Sequence, residues 1–191
     1  MMKIFSSFTP EVVSIVTHGG VGVIPTDTIY GLVASLHRRE AIERIYQLKS
    51  RDAQKRVGTT LISDITQLKD IVQTDEPVTS LDVWPGPVSV VFPVTQKYLY
   101  AHKGNGTLAF RIPAPIELRS FVSEVGPLAT TSANISGNGH SETLQEAIDT
   151  FGDSVDFYVD GGDLHGIPPS KIVRFHENGE LEVIREGVNG K

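Results

Sequence analysis

The sequence of 191 residues contains no cysteine. Disulfide bonds and thiolate catalysis are therefore excluded, and the fold must be held by packing alone, as is usual for cytoplasmic proteins. The N-terminal segment has no apolar core of signal-peptide length, and no apolar run approaches the ~18 residues of a membrane span. We therefore expect a cytoplasmic protein with no membrane contact.

Several common catalytic motifs are also missing. The sequence has no GxxxxGK[ST] loop, no GxGxxG turn after a strand and no GxSxG elbow. The usual phosphate-binding loops and the serine-hydrolase turn are thereby excluded. The six histidines show no metal-ligand spacing, so we expect no structural zinc and no metal site held by the protein.

The charge balance bears on nucleic-acid binding. The formal net charge is -6 and aromatic residues make up 7% of the chain, and both values count against a protein that coats nucleic acid. Seven of the 17 lysines and arginines nevertheless lie between positions 38 and 56. The simplest interpretation of three of them is a solvated helix face with acidic partners, in which Arg38, Arg39 and Arg44 pair with Glu40 and Glu43.

The length and composition suit a single hydrophobic core. Apolar residues make up 39% of the chain and charged residues 21%, and there is no repeat, low-complexity tract or linker. We therefore treat residues 1–191 as one domain. Because βα units are mixed with hairpin-like pairs, we expect an α/β domain with a mixed, twisted sheet flanked by helices.

Apolar spacing and turn signals predict the individual elements. Helices are predicted over 10–18, 38–49, 64–72, 115–125 and 143–151, and strands over 21–24, 30–32, 58–62, 88–92, 108–113, 155–159, 172–175 and 181–184. Thr9 is the expected N-cap of the first helix, and Thr143 with Glu146 the capping box of the last. Residues 97–107 are predicted to form a loop.

Two polar turns follow apolar strands. The first, Thr26 to Thr28, offers hydroxyls and a carboxylate, and the helix after it carries Lys49 and Arg51 together at its C-terminal end. The second, Thr130 to Gly137, reads TTSANISG and has a similar composition. Both are expected to border a polar pocket.

The candidate functional residues are cations and hydroxyls at strand ends: Thr28, Lys49, Arg51, Arg111, Ser132, Asn134, Ser170 and Arg185. Arginine captures carboxylate or phosphate with two hydrogen bonds, and lysine supplies a point charge. Composition alone leaves other interpretations open. Arg111 would then pair with a buried acid, and Ser132 and Asn134 would satisfy their own turn.

The motifs PTDTIYGL, KSR, WPGP, FRIP, TTSANISG and DGG…PS occur in this order between about positions 20 and 187. In order and spacing they resemble the YrdC/Sua5 family, the L-threonylcarbamoyladenylate synthases of tRNA modification. The resemblance implies a YrdC-like fold, with a concave, positively charged cavity in the open sheet. Because the chain stops at Lys191, it resembles the short, single-domain type.

The resemblance also implies roles for individual residues. Lys49 and Arg51 would be the catalytic pair and would bind ATP together with Thr131, Ser132, Asn134 and Arg185. The threonine or another part of the substrate would be bound by Thr28, Tyr30, Arg111 and Ser170. Two departures stand out: Arg56-Val57-Gly58 replaces a Pro-Leu after KxR, and Lys171 replaces the threonine of Pro-Ser-Thr.

The implied reaction joins L-threonine, bicarbonate and ATP into L-threonylcarbamoyl-AMP and pyrophosphate. Mg²⁺ is expected to arrive with ATP, held mostly by the phosphates and water. Asp27 either helps to hold this ion through a water molecule or only shapes its turn. The product would pass to a tRNA-modifying complex. Two alternatives remain. One is an RNA-binding module of the same fold, and the other is a carbamoyl-transferring relative. A weak contact with RNA is compatible with the synthase as well.

Overall fold

Ten strands form one mixed sheet in the computed structural model, which describes residues 2–49, 58–73, 81–175 and 181–187. The strands are β1 (Ile4–Phe5), β2 (Gly22–Ile24), β3 (Gly31–Ser35), β4 (Thr59–Leu61), β5 (Val88–Pro93), β6 (Thr107–Arg111), β7 (Leu128–Ser132), β8 (Phe157–Val159), β9 (Lys171–Phe175) and β10 (Leu181–Arg185). Their order is β1-β8-β2-β3-β7-β4-β6-β5-β9-β10.

The sheet combines both kinds of strand pairing. The pairs β1–β8, β8–β2, β4–β6 and β5–β9 are parallel, and the other neighbours are antiparallel. At the centre, β3 runs antiparallel to β7 with Gly31 opposite Ser132. This register brings the end of the first polar turn next to the start of the second. The expected mixed sheet is confirmed.

Helices cover both faces of the sheet. They are α1 (Pro10–Thr17), α2 (Arg39–Leu48), α3 (Leu99–His102), α4 (Ile116–Val125) and α5 (Leu144–Phe151). The apolar faces of α1 and α4 pack into one buried cluster, and those of α2, α3 and α5 into another. Because successive strand residues point to opposite faces, Leu32 and Ala34 belong to one cluster and Val33 to the other.

The predicted helix ends are formed as expected. Thr9 caps α1 by accepting a hydrogen bond from the Val12 amide, and Pro10 is the first helical residue. Thr143 and Glu146 form the predicted capping box of α5. In this box the Glu146 carboxylate accepts the Thr143 amide at 3.3 Å, and the Thr143 hydroxyl accepts the Glu146 amide at 3.3 Å.

Three predictions of secondary structure are wrong. The segment 64–72 forms only a short 3₁₀ turn over Ile65–Leu68, because Asp64 caps it locally and the chain then bridges from Val72 to Val94. The predicted loop 97–107 contains a 3₁₀ turn and α3, which bury Tyr98, Ala101 and His102. Thr130 and Thr131 lie within β7 rather than in a turn.

Two further comparisons concern the ends of the sheet. The edge strand β1 was not predicted, since it contains only two residues and is placed by pairing with β8. Strands β9 and β10 form the predicted antiparallel pair, while the expected turn at 177–179 lies outside the described residues.

In the part of the chain that the structure describes, no helix is long and apolar enough to cross a membrane.

The capping box of α5 gives a first testable prediction. Thr143→Ala removes the acceptor of the Glu146 amide and should lower the free energy of unfolding by about 1 kcal/mol. Urea denaturation followed by circular dichroism measures this change. Thr150→Ala, which removes a hydroxyl bonded to a carbonyl in the same helix, is the control; an equal loss in both variants would contradict a specific capping contribution.

Candidate functional site

An open cleft lies at the centre of the sheet, where the two polar turns meet. Its cavity volume is about 100 Å³. It is lined by Thr26, Thr28, Ile29, Gly31, Gly58, Thr59, Arg111, Thr130, Thr131, Ser132, Pro169, Ser170 and Arg185. Among these residues the ionisable ones are the two arginines, and seven others carry hydroxyl groups on threonine or serine. The lining is therefore suited to an anionic, oxygen-rich ligand.

Gly31 allows the two central strands to approach at this point. A Cβ atom built on Gly31 would lie 2.5 Å from the Thr130 hydroxyl oxygen. This distance is shorter than any normal contact, so a side chain here would push β3 away from β7 or occupy the cleft. The glycine of PTDTIYGL therefore keeps the cleft open between the turns.

Arg111 is the buried cation predicted to need a partner, and that partner is Asp27. Arg111 Nη2 lies 3.0 Å from Asp27 Oδ1, and the two side chains are 3% and 5% exposed. Arg111 Nη1 also donates to the Thr28 hydroxyl at 3.4 Å. Burial lowers the pKa of Arg111, an effect that Asp27 opposes. Asp27 thus positions Arg111 and, through Oδ2, accepts the Ala114 amide at 3.3 Å.

The pair contains two buried polar atoms whose hydrogen-bonding capacity is unused. Among the described residues, neither Arg111 Nε nor Asp27 Oδ1 has a well-aligned hydrogen-bond partner, although the ion pair holds them together. Buried polar groups are nearly always satisfied in folded proteins. Both atoms are shielded from solvent, so Arg111 contributes its positive charge to the cleft lining rather than a free Nε donor.

Lys49 joins the end of α2 to the second polar turn. Its ammonium group donates to the Ser132 carbonyl at 2.5 Å and to Asn134 Oδ1 at 2.8 Å, while its own carbonyl accepts the Ser136 amide at 3.2 Å. Lys49 is 1% exposed and lies behind Ser132, which lines the cleft. The structure therefore brings Lys49, Ser132 and Asn134 together, but Lys49 and Asn134 do not line the cleft.

Ser132 and Asn134 are partly engaged within their own turn. The Ser132 hydroxyl donates to Asn134 Oδ1 at 2.6 Å, and Asn134 Nδ2 donates to the Asn138 carbonyl at 2.6 Å. These contacts fit the turn-stabilising interpretation that the sequence left open. They also fix the Ser132 hydroxyl at the cleft wall, where its remaining acceptor capacity is available to a ligand.

Ser170 and Arg185 form the opposite wall. Arg185 Nη2 donates to the Ser170 carbonyl at 2.7 Å and to the Ser170 hydroxyl at 3.1 Å. The next residue, Lys171, pairs with Glu186 at 3.2 Å and is half-exposed. The residue that departs from the family pattern thus points away from the cleft, while Ser170 remains in its lining.

Tyr30 occupies a different place from the one expected of a substrate ligand. Its hydroxyl donates to the Gly162 carbonyl at 2.8 Å and accepts the Gly161 amide at 2.9 Å. The side chain is fully buried and is not part of the cleft lining. Tyr30 therefore ties the 160–162 turn to the first polar turn. Arg51 lies outside the described residues.

Sequence reasoning missed several residues of the cleft region. Thr26, Thr59 and Thr130 line it, and Ser89 lies just behind it. Thr26 was noted in the first polar turn but not proposed as a site residue. A threonine or serine inside a strand carries no local signal that distinguishes a cleft position from a core position.

Two other candidate chemistries were tested against the structure. No group of three or more histidine or acidic residues in the described part of the chain is arranged to hold a metal ion. The arginines of the basic helix are engaged as well: Arg39 pairs with Glu43 at 2.8 Å, Arg44 with Asp156 at 2.6 Å, and Arg38 donates to the Thr17 carbonyl. Arg44 therefore forms its ion pair with Asp156 and not with the expected glutamate.

Comparison with known proteins assigns the family. The model of the Sua5/YciO/YrdC family, described as telomere recombination, matches residues 14–187. The chain belongs to this family. A threonylcarbamoyl-AMP synthase of Idiomarina loihiensis is 32% identical over 162 residues, covering 81% of this chain and 86% of the relative. One from Nitrosococcus oceani is 34% identical and covers 83% and 88%.

Solved structures agree on the fold. Pyrococcus abyssi Sua5 in complex with L-threonine superposes with a TM-score of 0.86 at 23% identity, over 98% of this chain and 57% of that protein. This chain therefore spans little more than half of that structure. Escherichia coli YciO superposes with a TM-score of 0.81 at 23% identity, over 100% of this chain and 97% of that one.

The position of Lys49 leads to a prediction about nucleotide binding. Lys49→Met removes a charge one side chain behind the cleft wall and frees the Ser132–Asn134 turn. We expect ATP binding to weaken about tenfold, the lower end of the range for losing a charge-assisted contact. Isothermal titration calorimetry measures the dissociation constant.

Lys171→Thr is the control for this experiment, since it restores the residue usual in the family and Lys171 points toward Glu186. Its affinity for ATP should stay within twofold of the wild type, given that it lies outside the cleft lining. If the Lys49→Met variant folds and its affinity for ATP is unchanged, the role of Lys49 is only structural, which is to join α2 to the second polar turn.

Proposed function

We propose that this chain is an L-threonylcarbamoyl-AMP synthase that acts on L-threonine, bicarbonate and ATP. The observation that carries the proposal is the cleft itself, whose lining combines two arginines with seven hydroxyl-bearing residues. Relatives named threonylcarbamoyl-AMP synthase, 32–34% identical over most of the chain, support the same assignment.

The reaction has two bond-forming steps. The amine of threonine combines with bicarbonate to give a carbamate and water. A carbamate oxygen then attacks the α-phosphorus of ATP, forming threonylcarbamoyl-AMP as the bond to pyrophosphate breaks. No protein nucleophile is needed, because the attacking oxygen belongs to the substrate. The protein must align the reactants and stabilise the charge that develops on the phosphates.

The cleft residues are suited to these tasks. Arg111, held by Asp27, and Arg185, braced on Ser170, supply positive charge on two walls. Thr28 and Ser132 place hydroxyl groups in the lining at the two polar turns. Lys49, joined to Ser132, adds charge behind the wall, and Arg51 two residues further on is assigned to the phosphates by its place in the KxR motif.

Mg²⁺ belongs to this proposal as a companion of ATP. The described residues offer no cluster of acidic or histidine ligands, and the Asp27 carboxylate is taken up by Arg111 and the Ala114 amide. We therefore assign the ion to the phosphates and water, where it would neutralise charge on the leaving pyrophosphate. The product would pass in the cytoplasm to a complex that modifies tRNA.

The alternatives receive less support. A module that binds RNA needs cations on its surface, but Arg38, Arg39 and Arg44 are engaged with carbonyl or acidic groups. For a carbamoyl-transferring role the comparisons offer only likenesses of fold, such as HypF in a phosphate- and nucleotide-bound form, with 17% identity and a TM-score of 0.76. That likeness concerns the fold and does not favour the transfer reaction over the synthase.

Omission of single substrates tests the proposal. Pyrophosphate should be released when ATP, threonine and bicarbonate are all present, and release should fall to background when any one is left out, because the carbamate requires both threonine and bicarbonate. A coupled pyrophosphate assay provides the measurement, with the enzyme solution and buffers freed of dissolved CO2. Pyrophosphate release that is independent of threonine, or RNA binding with a steep salt dependence and no turnover, would overturn the assignment.

Replacing threonine by serine tests amino-acid selectivity. Serine lacks one methyl group, and burial of one such group contributes ~0.8 kcal/mol. We expect kcat/KM for serine to be about fourfold lower, or lower still if the pocket fits the methyl closely. Equal kcat/KM values for the two amino acids would show that the methyl group stays in solvent.

A further inference from the structure

Three hydroxyl groups follow one another in a chain from Thr59 through Ser89 to Ser170, and of these only Ser89 lies behind the cleft wall. Thr59 Oγ1 lies 3.0 Å from Ser89 Oγ, and Ser89 Oγ lies 3.1 Å from Ser170 Oγ. These side chains come from β4, β5 and the residue before β9. Ser89 is fully buried, Ser170 is 4% exposed and Thr59 is 6% exposed.

The geometry fixes the direction of the hydrogen bonds. The Ser89 hydroxyl donates to Ser170 Oγ. Since a hydroxyl has one hydrogen, the contact between Thr59 and Ser89 must then be donated by Thr59. Ser170 Oγ accepts a second hydrogen bond from Arg185 Nη2 at 3.1 Å. With two donors directed at its oxygen, Ser170 keeps its own hydrogen for another acceptor.

We propose that Ser89 is a positioning residue, which orients the Ser170 hydroxyl as a donor to an anionic oxygen of the substrate. Ser170 lines the cleft, whereas Ser89 does not. Donation from Ser89 and from the Arg185 guanidinium strengthens the Ser170 hydroxyl as a donor, because successive hydrogen bonds polarise one another. The inference deepens the proposed function, on which it rests.

The anionic oxygen belongs either to a phosphate of ATP or to the carboxylate of threonine. Both are acceptors that a hydroxyl beside a guanidinium recognises. Steady-state kinetics distinguishes them: Ser89→Ala should raise KM about three- to tenfold for the substrate that Ser170 contacts. The KM of the other substrate and kcat should change less than twofold.

Three further variants separate positioning from packing. Ser89→Thr keeps the hydroxyl and should restore KM to within about twofold of the wild type. Ser170→Ala should raise the same KM by at least as much as Ser89→Ala, and the double variant should be no worse than Ser170→Ala, since Ser89 acts through Ser170. Thr60→Val is the matched control: Thr60 is fully buried on β4, and its hydroxyl has no partner among the described residues.

The outcomes separate this inference from the proposed function. Wild-type protein that releases no pyrophosphate with all three substrates present would remove the proposed function, and with it the inference. Active wild type together with unchanged KM values in Ser89→Ala would overturn the inference alone. The same result would follow if the effects of Ser89→Ala and Ser170→Ala were additive, or if Ser89→Ala lowered kcat with both KM values unchanged.

Discussion

The buried pair of Arg111 and Asp27 is the constraint on which the cleft depends. It joins the end of β6 to the first polar turn, with both side chains almost fully removed from solvent. Burying two charges costs several kcal/mol for each ion, and apolar residues of similar volume are often at least as stabilising. Stability is therefore a weak reason for an arginine at this position. A requirement for fixed positive charge at the cleft is a stronger one.

The strand register determines what surrounds that charge. Because β3 and β7 are antiparallel with Gly31 opposite Ser132, the two polar turns meet at one end of the central strands. The C-terminal end of α2 docks on the second turn through the Ser136 amide and the Lys49 carbonyl. Groups far apart in sequence thus reach one cleft through backbone pairing, and the side chains need little freedom to face a ligand.

Features that depend on local sequence could be predicted, and those that depend on contacts with distant parts of the chain could not. Helix ends at Thr9 and Thr143 were predictable because capping is local, and the long apolar patterns of α2 and α4 specify their buried faces. The segment from Gln96 to His102 was mistaken for a loop because its few buried side chains form no repeating pattern. Strand β1 is defined by its partner rather than by its two residues.

The site was predictable to the extent that turn motifs mark it. The motifs and the family resemblance pointed to six residues that line the cleft: Thr28, Arg111, Thr131, Ser132, Ser170 and Arg185. They could not reveal that Tyr30 supports a neighbouring turn or that Lys49 lies behind the wall, since these differences depend on side-chain direction. The sequence predicted that Arg111 would pair with a buried acidic residue but did not show which one, because Asp27 lies 84 positions earlier in the chain.

Under the proposed function, the arrangement of charge and hydroxyls also explains how the cleft would work without a protein nucleophile. Each described cation in or directly behind its walls is braced: Arg111 by Asp27, Arg185 by the Ser170 carbonyl, and Lys49 by Ser132 and Asn134. Braced groups need little reorganisation when charge develops on a bound phosphate, and this reduces the barrier to the reaction. The interactions that first look structural are therefore the means by which the cleft is organised before its ligand arrives.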